Sequence, residues 1–302
     1  MTRSAALAIP LFSLALTGAP SSLAGQQPAN QLPAAIFTDP ARDSAHPARM
    51  VVLHIPTGAV RVNGVAYVPA GAGLHPTLVL LHGLPGNEKN LDLAQAVRRA
   101  GWTVVTFNYR GSWGSPGSFR FAQNLEDADA AIAYLRDTAN ARALQVDAKR
   151  IVLAGHSMGG WVTALTASHQ PELRGAILIS GADMGAAGRG GRAGPTQRAQ
   201  GAQRMRGMME SLAGVTAEEM ADELIANADR FEWTRAAPGL ARLPLLVLTA
   251  DDGLAPAATA LADSVRAHGG RVSAVHVATD HSWSDRRIEL QALVLRWLAQ
   301  LP

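Results

Sequence analysis

The 302-residue chain carries 27 Lys and Arg against 24 Asp and Glu, a formal net charge of +3, and no cysteine. Disulfides, thiolate metal sites and lipid attachment at a processing-site cysteine are therefore excluded. Nucleic acid is not expected as a partner, because no basic stripe is interleaved with aromatics. The one local excess of basic charge, Arg189, Arg192, Arg198, Arg204 and Arg206, reads as a solvated loop and helix face.

Residues 1–25 read as a signal peptide: Arg3 gives a positive start, Ala5 to Leu16 an apolar stretch, and Ser22-Leu23-Ala24 a small-residue cleavage site. Removal near Ala24 or Gly25 and export, to the periplasm or outside the cell, are expected. The stretch is too short to span a membrane and is interrupted by Pro10, and no later segment offers a span. Residues 26–48, rich in Pro, Ala, Gln and Asn, read as a linker. Residues 49–302 are enough for one domain with a sizeable core.

Met50 to Ile55 and Ala59 to Val68 predict two antiparallel strands around the turn at Pro56-Thr57-Gly58. Apolar runs then alternate with helical periodicity. Strands are expected at Thr77 to His82, Thr103 to Phe107, Arg150 to Gly155 and Gly175 to Ser180, and helices at Leu91 to Ala100, Asn124 to Arg136 and Met158 to His169. This alternation predicts an α/β fold, a mostly parallel central sheet with helices on both faces. It pauses over about residues 182–240, where Ala182 to Gly201 shows no periodicity and Met205 to Ala228 reads as a helix, together a short helical lid insertion. Strands at Pro244 to Ala250 and Arg271 to Ala278, and helices at Ala257 to His268 and Ile288 to Leu301, complete the chain.

The run Ile151 to Gly160 ends in G-x-S-x-G centred on Ser157, the pattern of a serine displayed on a sharp strand-to-helix turn whose neighbours must lack side chains. A serine hydroxyl is a weak nucleophile at neutral pH and needs a base and an acid that orients the base. Asp251-Asp252-Gly253 follows the strand at Leu245 to Ala250, and Asp280-His281-Ser282-Trp283 follows the last strand. Ser157, Asp252 and His281 thus stand in the order nucleophile, acid, base, with Asp251 as the alternative acid. Oxyanion donors are assigned to the backbone N–H groups of Met158 and, in the loop His82-Gly83-Leu84-Pro85-Gly86-Asn87, of Leu84, since Pro85 has no N–H. His82 is expected to brace that loop, a catalytic base being its other reading.

The segments HGLPG, NYRGSWGSPGSF, LEDADAAIAYL, GHSMGG, TADDGLAP and DHSW together resemble landmarks of the α/β-hydrolase superfamily across roughly residues 50 to 300. The Asn108 to Gly117 run looks like that of dienelactone-hydrolase-like esterases and of prolyl-oligopeptidase-type catalytic domains. The resemblance implies a serine hydrolase working without metal or organic cofactor on a small-molecule ester, or alternatively on a peptide or amide. A hydrolase-fold protein that binds without turnover is the reading from another class. A serine in place of cysteine departs from dienelactone hydrolase, and with no propeller-like segment ahead of residue 50 the sieve of the large peptidases is expected to be missing. Two side-chain roles stay open. Arg110 either pairs with Asp127 or Glu126 to fix the rim of the cleft or contacts a substrate carboxylate. Met205, Met208, Met209 and Leu212 either pack on the body or line an adaptable acyl pocket.

Overall fold

Apolar runs buried on both faces form the middle of an eight-stranded sheet, in the order β1-β2-β4-β3-β5-β6-β7-β8, in a computed structural model that describes Met1 and residues 31–301. The predicted signal peptide, apart from Met1, lies outside the described residues. Strands β1 (Arg49–Thr57) and β2 (Val60–Val68) form a hairpin, and β2 runs antiparallel to β4. From there β4 (Thr103–Phe107), β3 (His75–Leu81), β5 (Val146–His156), β6 (Gly175–Ile179), β7 (Leu245–Thr249) and β8 (Val272–His276) are parallel. Every residue of β4, β6 and β7 is buried, as expected of strands covered on both sides.

Helices α1 (Leu91–Arg99) and α10 (Arg287–Leu298) cover one face through Leu93, Val97, Leu290, Val294 and Trp297. Helices α2 (Phe121–Arg136), α4 (Met158–His169) and α9 (Ala255–Ala267) cover the other. The short α3 (Thr138–Ala143), which has no signature in the hydrophobic pattern, is capped by Asp137. Part of the segment read as a linker is tied down: Arg99 donates to the carbonyls of Ala35 and Ile36 at 2.5 and 2.7 Å, and Ile36 is buried.

Between β6 and β7 the structure departs from the sequence reading. The block read as aperiodic contains α5 (Met184–Gly191) and most of α6 (Pro195–Arg206), and the single helix expected over Met205 to Ala228 is broken. Helix α6 stops at Arg206, a 3-10 turn occupies Met209–Ser211, and α7 (Ala217–Ala226) starts afresh. Thr216 begins it with a capping box, accepting from Glu219 N–H at 3.1 Å while the Glu219 carboxylate accepts from Thr216 N–H at 2.8 Å. Two of the glycines that hid α5, Gly188 and Gly191, are there for contact with α7. A Cβ on Gly188 would lie 2.1 Å from the Leu224 carbonyl oxygen, so tertiary packing on α7 overrides glycine's poor helix propensity. The one-turn α8 (Ala237–Leu240) leads into β7.

Candidate active site

Ser157 sits between β5 and α4 at φ 57° and ψ −123°, a conformation that costs any residue with a side chain and persists only where the surroundings enforce it. They do so by crowding. A Cβ on Gly155 would lie 2.0 Å from the Gly159 carbonyl oxygen, and one on Gly159 would lie 2.5 Å from the Leu81 carbonyl oxygen. Ser157 N–H donates to the Ile179 carbonyl and the Ser157 carbonyl accepts from Ala182 N–H, both at 3.0 Å, which clamps the turn to the end of β6.

The loops after β7 and β8 bring Asp252 and His281 together. His281 Nδ1–H donates to Asp252 Oδ2 at 2.8 Å, which leaves Nε2 with its lone pair available. Burial by itself would raise the Asp252 carboxyl; the hydrogen bonds from His281, Leu254 N–H and Ser180 outweigh it and hold the group below the usual carboxylate value. Asp251, the alternative acid, faces elsewhere: its carboxylate pairs with His276 Nε2 at 3.0 Å, and His276 Nδ1 meets Thr249 Oγ1 at 3.0 Å.

Three supporting residues carry no signal in the spacing of the sequence. His156 Nε2–H donates to the His281 carbonyl oxygen at 2.8 Å, with the two rings 4.7 Å apart. Burial pushes the His156 imidazole down to about 4, so it is neutral near pH 7 and adds no charge against His281. Ser180, at φ 44°, and Trp283, at φ 59°, are both buried, and Trp283 Nε1–H donates to Ser180 Oγ at 3.1 Å. A chain of bonds therefore runs from the indole through Ser180 to Asp252.

The loop after β3 closes the site from the other side. Gly83 approaches so nearly that a Cβ there would lie 2.8 Å from Ser157 Cβ. Leu84 follows, joined to Pro85 by a cis peptide bond. Met158 is the first residue of α4, so its N–H is one of the donors a helix start leaves without an internal partner. His82 braces the loop: it is buried, its Nδ1–H donates to the Gly83 carbonyl oxygen at 2.7 Å, and its ring meets Tyr109 edge-on at 4.8 Å. Burial lowers it to about 4.

Gly83, Leu84, Glu88, His156, Ser157 and His281 line a common cavity of about 200 Å³. Two larger spaces flank it. Leu84 is shared with an apolar cavity of about 350 Å³ under α5, α6 and α7, which includes Met205 and Met208. Pro85 and Asn87 are shared with one of about 500 Å³ lined by Trp113 and Met208, where Trp113 donates to the Pro85 carbonyl at 2.6 Å and carries Lys89 Nζ 4.6 Å above its ring. Of the methionine group, Met209 lines neither cavity, while Leu212 lines the larger one and its backbone forms a bridge with Ser112 where the helix is broken.

Arg110 is engaged with its own carboxylates. It reaches Asp127 Oδ1 and Glu126 Oε2 at 2.6 Å each, its backbone N–H reaches Asp127 Oδ2 at 2.8 Å, and its side chain is 10% exposed. It fixes the rim of the cleft. Among the described residues no group of three or more His, Cys, Asp or Glu side chains is arranged to hold a metal ion, and no helix is long and apolar enough to cross a membrane.

An eight-stranded, mostly parallel sheet with a strained serine after β5 and a histidine-carboxylate pair on the loops after β7 and β8 defines an α/β-hydrolase architecture. The profile of the alpha/beta hydrolase family matches residues 78–291, and the chain belongs to that family. It is similar to Cutinase est2 of Thermobifida alba, 28% identical over 120 residues that cover 39% of this chain and 38% of the cutinase. The chain thus spans about two fifths of the length of that relative. Among solved structures it resembles EstE1, a thermostable carboxylesterase cloned from a metagenomic library, with TM-score 0.59, 23% identity and coverage of 84% of this chain and 91% of the other. A puromycin-hydrolyzing peptidase of Mycobacterium tuberculosis superposes with TM-score 0.64 at 19% identity, over 86% of this chain and 41% of the peptidase.

Proposed function

We propose that this protein is an exported serine hydrolase that cleaves small to medium carboxylic esters through an acyl-enzyme. The observation that carries the proposal is that His281, bonded to Asp252, lines one cavity with Ser157, which is held on a strained turn. Asp252 fixes the tautomer of His281, so that Nε2 is the basic nitrogen on the side of the serine. Ser157 Oγ attacks the ester carbonyl as His281 Nε2 takes its proton. The negative charge that develops on the carbonyl oxygen is met by the N–H groups of Leu84 and Met158. Collapse expels the alcohol, which receives the proton from His281, and water repeats the sequence on the acyl-enzyme to release the acid and restore Ser157. The similarity to a cutinase supports esters over amides. The helices between β6 and β7 act as the lid over the acyl side, and the Trp113 cavity takes the alcohol side.

A panel of p-nitrophenyl esters and aminoacyl anilides, run on wild type and Ser157→Ala, tests the reading. Ester turnover with a p-nitrophenol burst, lost in the variant, is expected. Anilide turnover exceeding ester turnover would replace esterase by peptidase, and no turnover of either by folded protein would leave a binding protein.

A further inference from the structure

We infer that the apolar cavity beneath α5, α6 and α7 holds the acyl chain and that Arg204 on its wall selects chains ending in a carboxylate: the favoured substrates are monoesters of α,ω-dicarboxylic acids. The inference rests on the serine-hydrolase reading above and names the substrate class of that site. Continuity comes first. Leu84 lines both the Ser157 cavity and this one, and Leu254, two residues beyond Asp252, also faces it, so a chain attached at the serine carbonyl has this space beside it. Its walls include Met184, Met205, Met208 and Leu224, flexible and branched apolar side chains suited to a methylene chain.

Charge comes second. Gln197, Gly201, Arg204 and Met208 recur at helical spacing, so one side of α6 and its extension faces the cavity with both apolar and cationic groups. The other arginine there, Arg198, is bound through two bonds to Asp222, at 2.5 and 2.7 Å. Arg204 has no carboxylate partner among the described residues and is an exposed residue of the cavity wall. An unneutralised guanidinium on the wall of an apolar space fits an acyl chain with an anionic far end, a role that Arg110 cannot take because Asp127 and Glu126 already occupy it. Hydrolysis of such a half-ester releases the dicarboxylate and the alcohol, with no change to the serine chemistry.

The test compares kcat/KM for monomethyl succinate, adipate and suberate with that for methyl butyrate, hexanoate and octanoate, in wild type, Arg204→Gln and Arg204→Lys, with Ser157→Ala as control. The expected result is a half-ester preference at one chain length that falls about fivefold in Arg204→Gln, the effect of one solvent-exposed ion pair, and recovers in part in Arg204→Lys. Raising the salt concentration should shrink the wild-type preference in the same direction. Neutral esters cleaved by wild type, with a half-ester ratio that neither Arg204→Gln nor salt alters, would overturn the role of Arg204 alone. Turnover surviving in Ser157→Ala would overturn the serine-hydrolase reading, and the inference with it.

Discussion

The strand ends that hold Ser157, Asp252 and His281 and the helices inserted between β6 and β7 are built by opposite means. At the strand ends, position is set by backbone and burial: glycines pressed against carbonyl oxygens, three residues with left-handed φ, and two buried histidines that bond carbonyls. In the insertion, much of the polar bonding is between exposed arginines and carboxylates: Arg192–Asp229, Arg198–Asp222 and Arg206–Glu218. Crowded backbone has few alternatives within a few kcal/mol, whereas exposed pairs contribute little each and are screened by salt. The division fits the proposed chemistry, which needs its reacting groups fixed and places fewer demands on the insertion.

The contrast is sharpest at two adjacent carboxylates. Asp252→Asn should cost about 10⁴-fold in kcat, because an amide no longer holds His281 in the useful tautomer. Asp251→Asn, which loses only its exposed pairing with His276, should leave kcat within about threefold. Steady-state kinetics on both variants with one ester checks the pair, and equal losses would mean that the division of roles is wrong.

The buried histidines give the next effect. His82 and His156 are depressed to about 4 in the fold by burial, against about 6.5 in the unfolded chain. The unfolded state therefore takes up protons first as pH falls. Stability is complete above about pH 6.5 and is lost as pH drops toward 4, by about 3 kcal/mol for each histidine. Urea midpoints measured across that range should decline, and His156→Gln, whose amide can still donate to the His281 carbonyl, should make the decline shallower. The smallest effect belongs to the insertion: Arg198→Ala should move the urea midpoint only slightly, and the difference should vanish in high salt. A midpoint that falls steeply in Arg198→Ala would show that the insertion is held as tightly as the strand ends.

The sheet was largely legible because its strands carry continuous apolar runs, and the tight turn at Ser157 because a serine there needs glycine on both sides. The carboxylate that pairs with His281 was legible only to within one residue. Adjacent positions at a turn point to different sides, and the choice between Asp251 and Asp252 depends on where His276 and His281 lie, which no local pattern states. His156 and Trp283 stand inside segments read for their neighbours, and neither they nor Ser180 could be assigned a role, because they act through a backbone carbonyl or another hydroxyl, contacts that leave no periodicity. Helix α5 escaped because its glycines read as loop formers, although two of them, Gly188 and Gly191, are where α7 presses closest. Tertiary contact hid it from the sequence.

The central claim is that Ser157 is the nucleophile. Treating folded protein with a fluorophosphonate and mapping the adduct by peptide mass spectrometry tests it most directly. The account predicts one adduct per chain, on Ser157, absent in Ser157→Ala and slowed in Asp252→Asn but not in Asp251→Asn. An adduct on another residue, or an unlabelled folded protein, would contradict it.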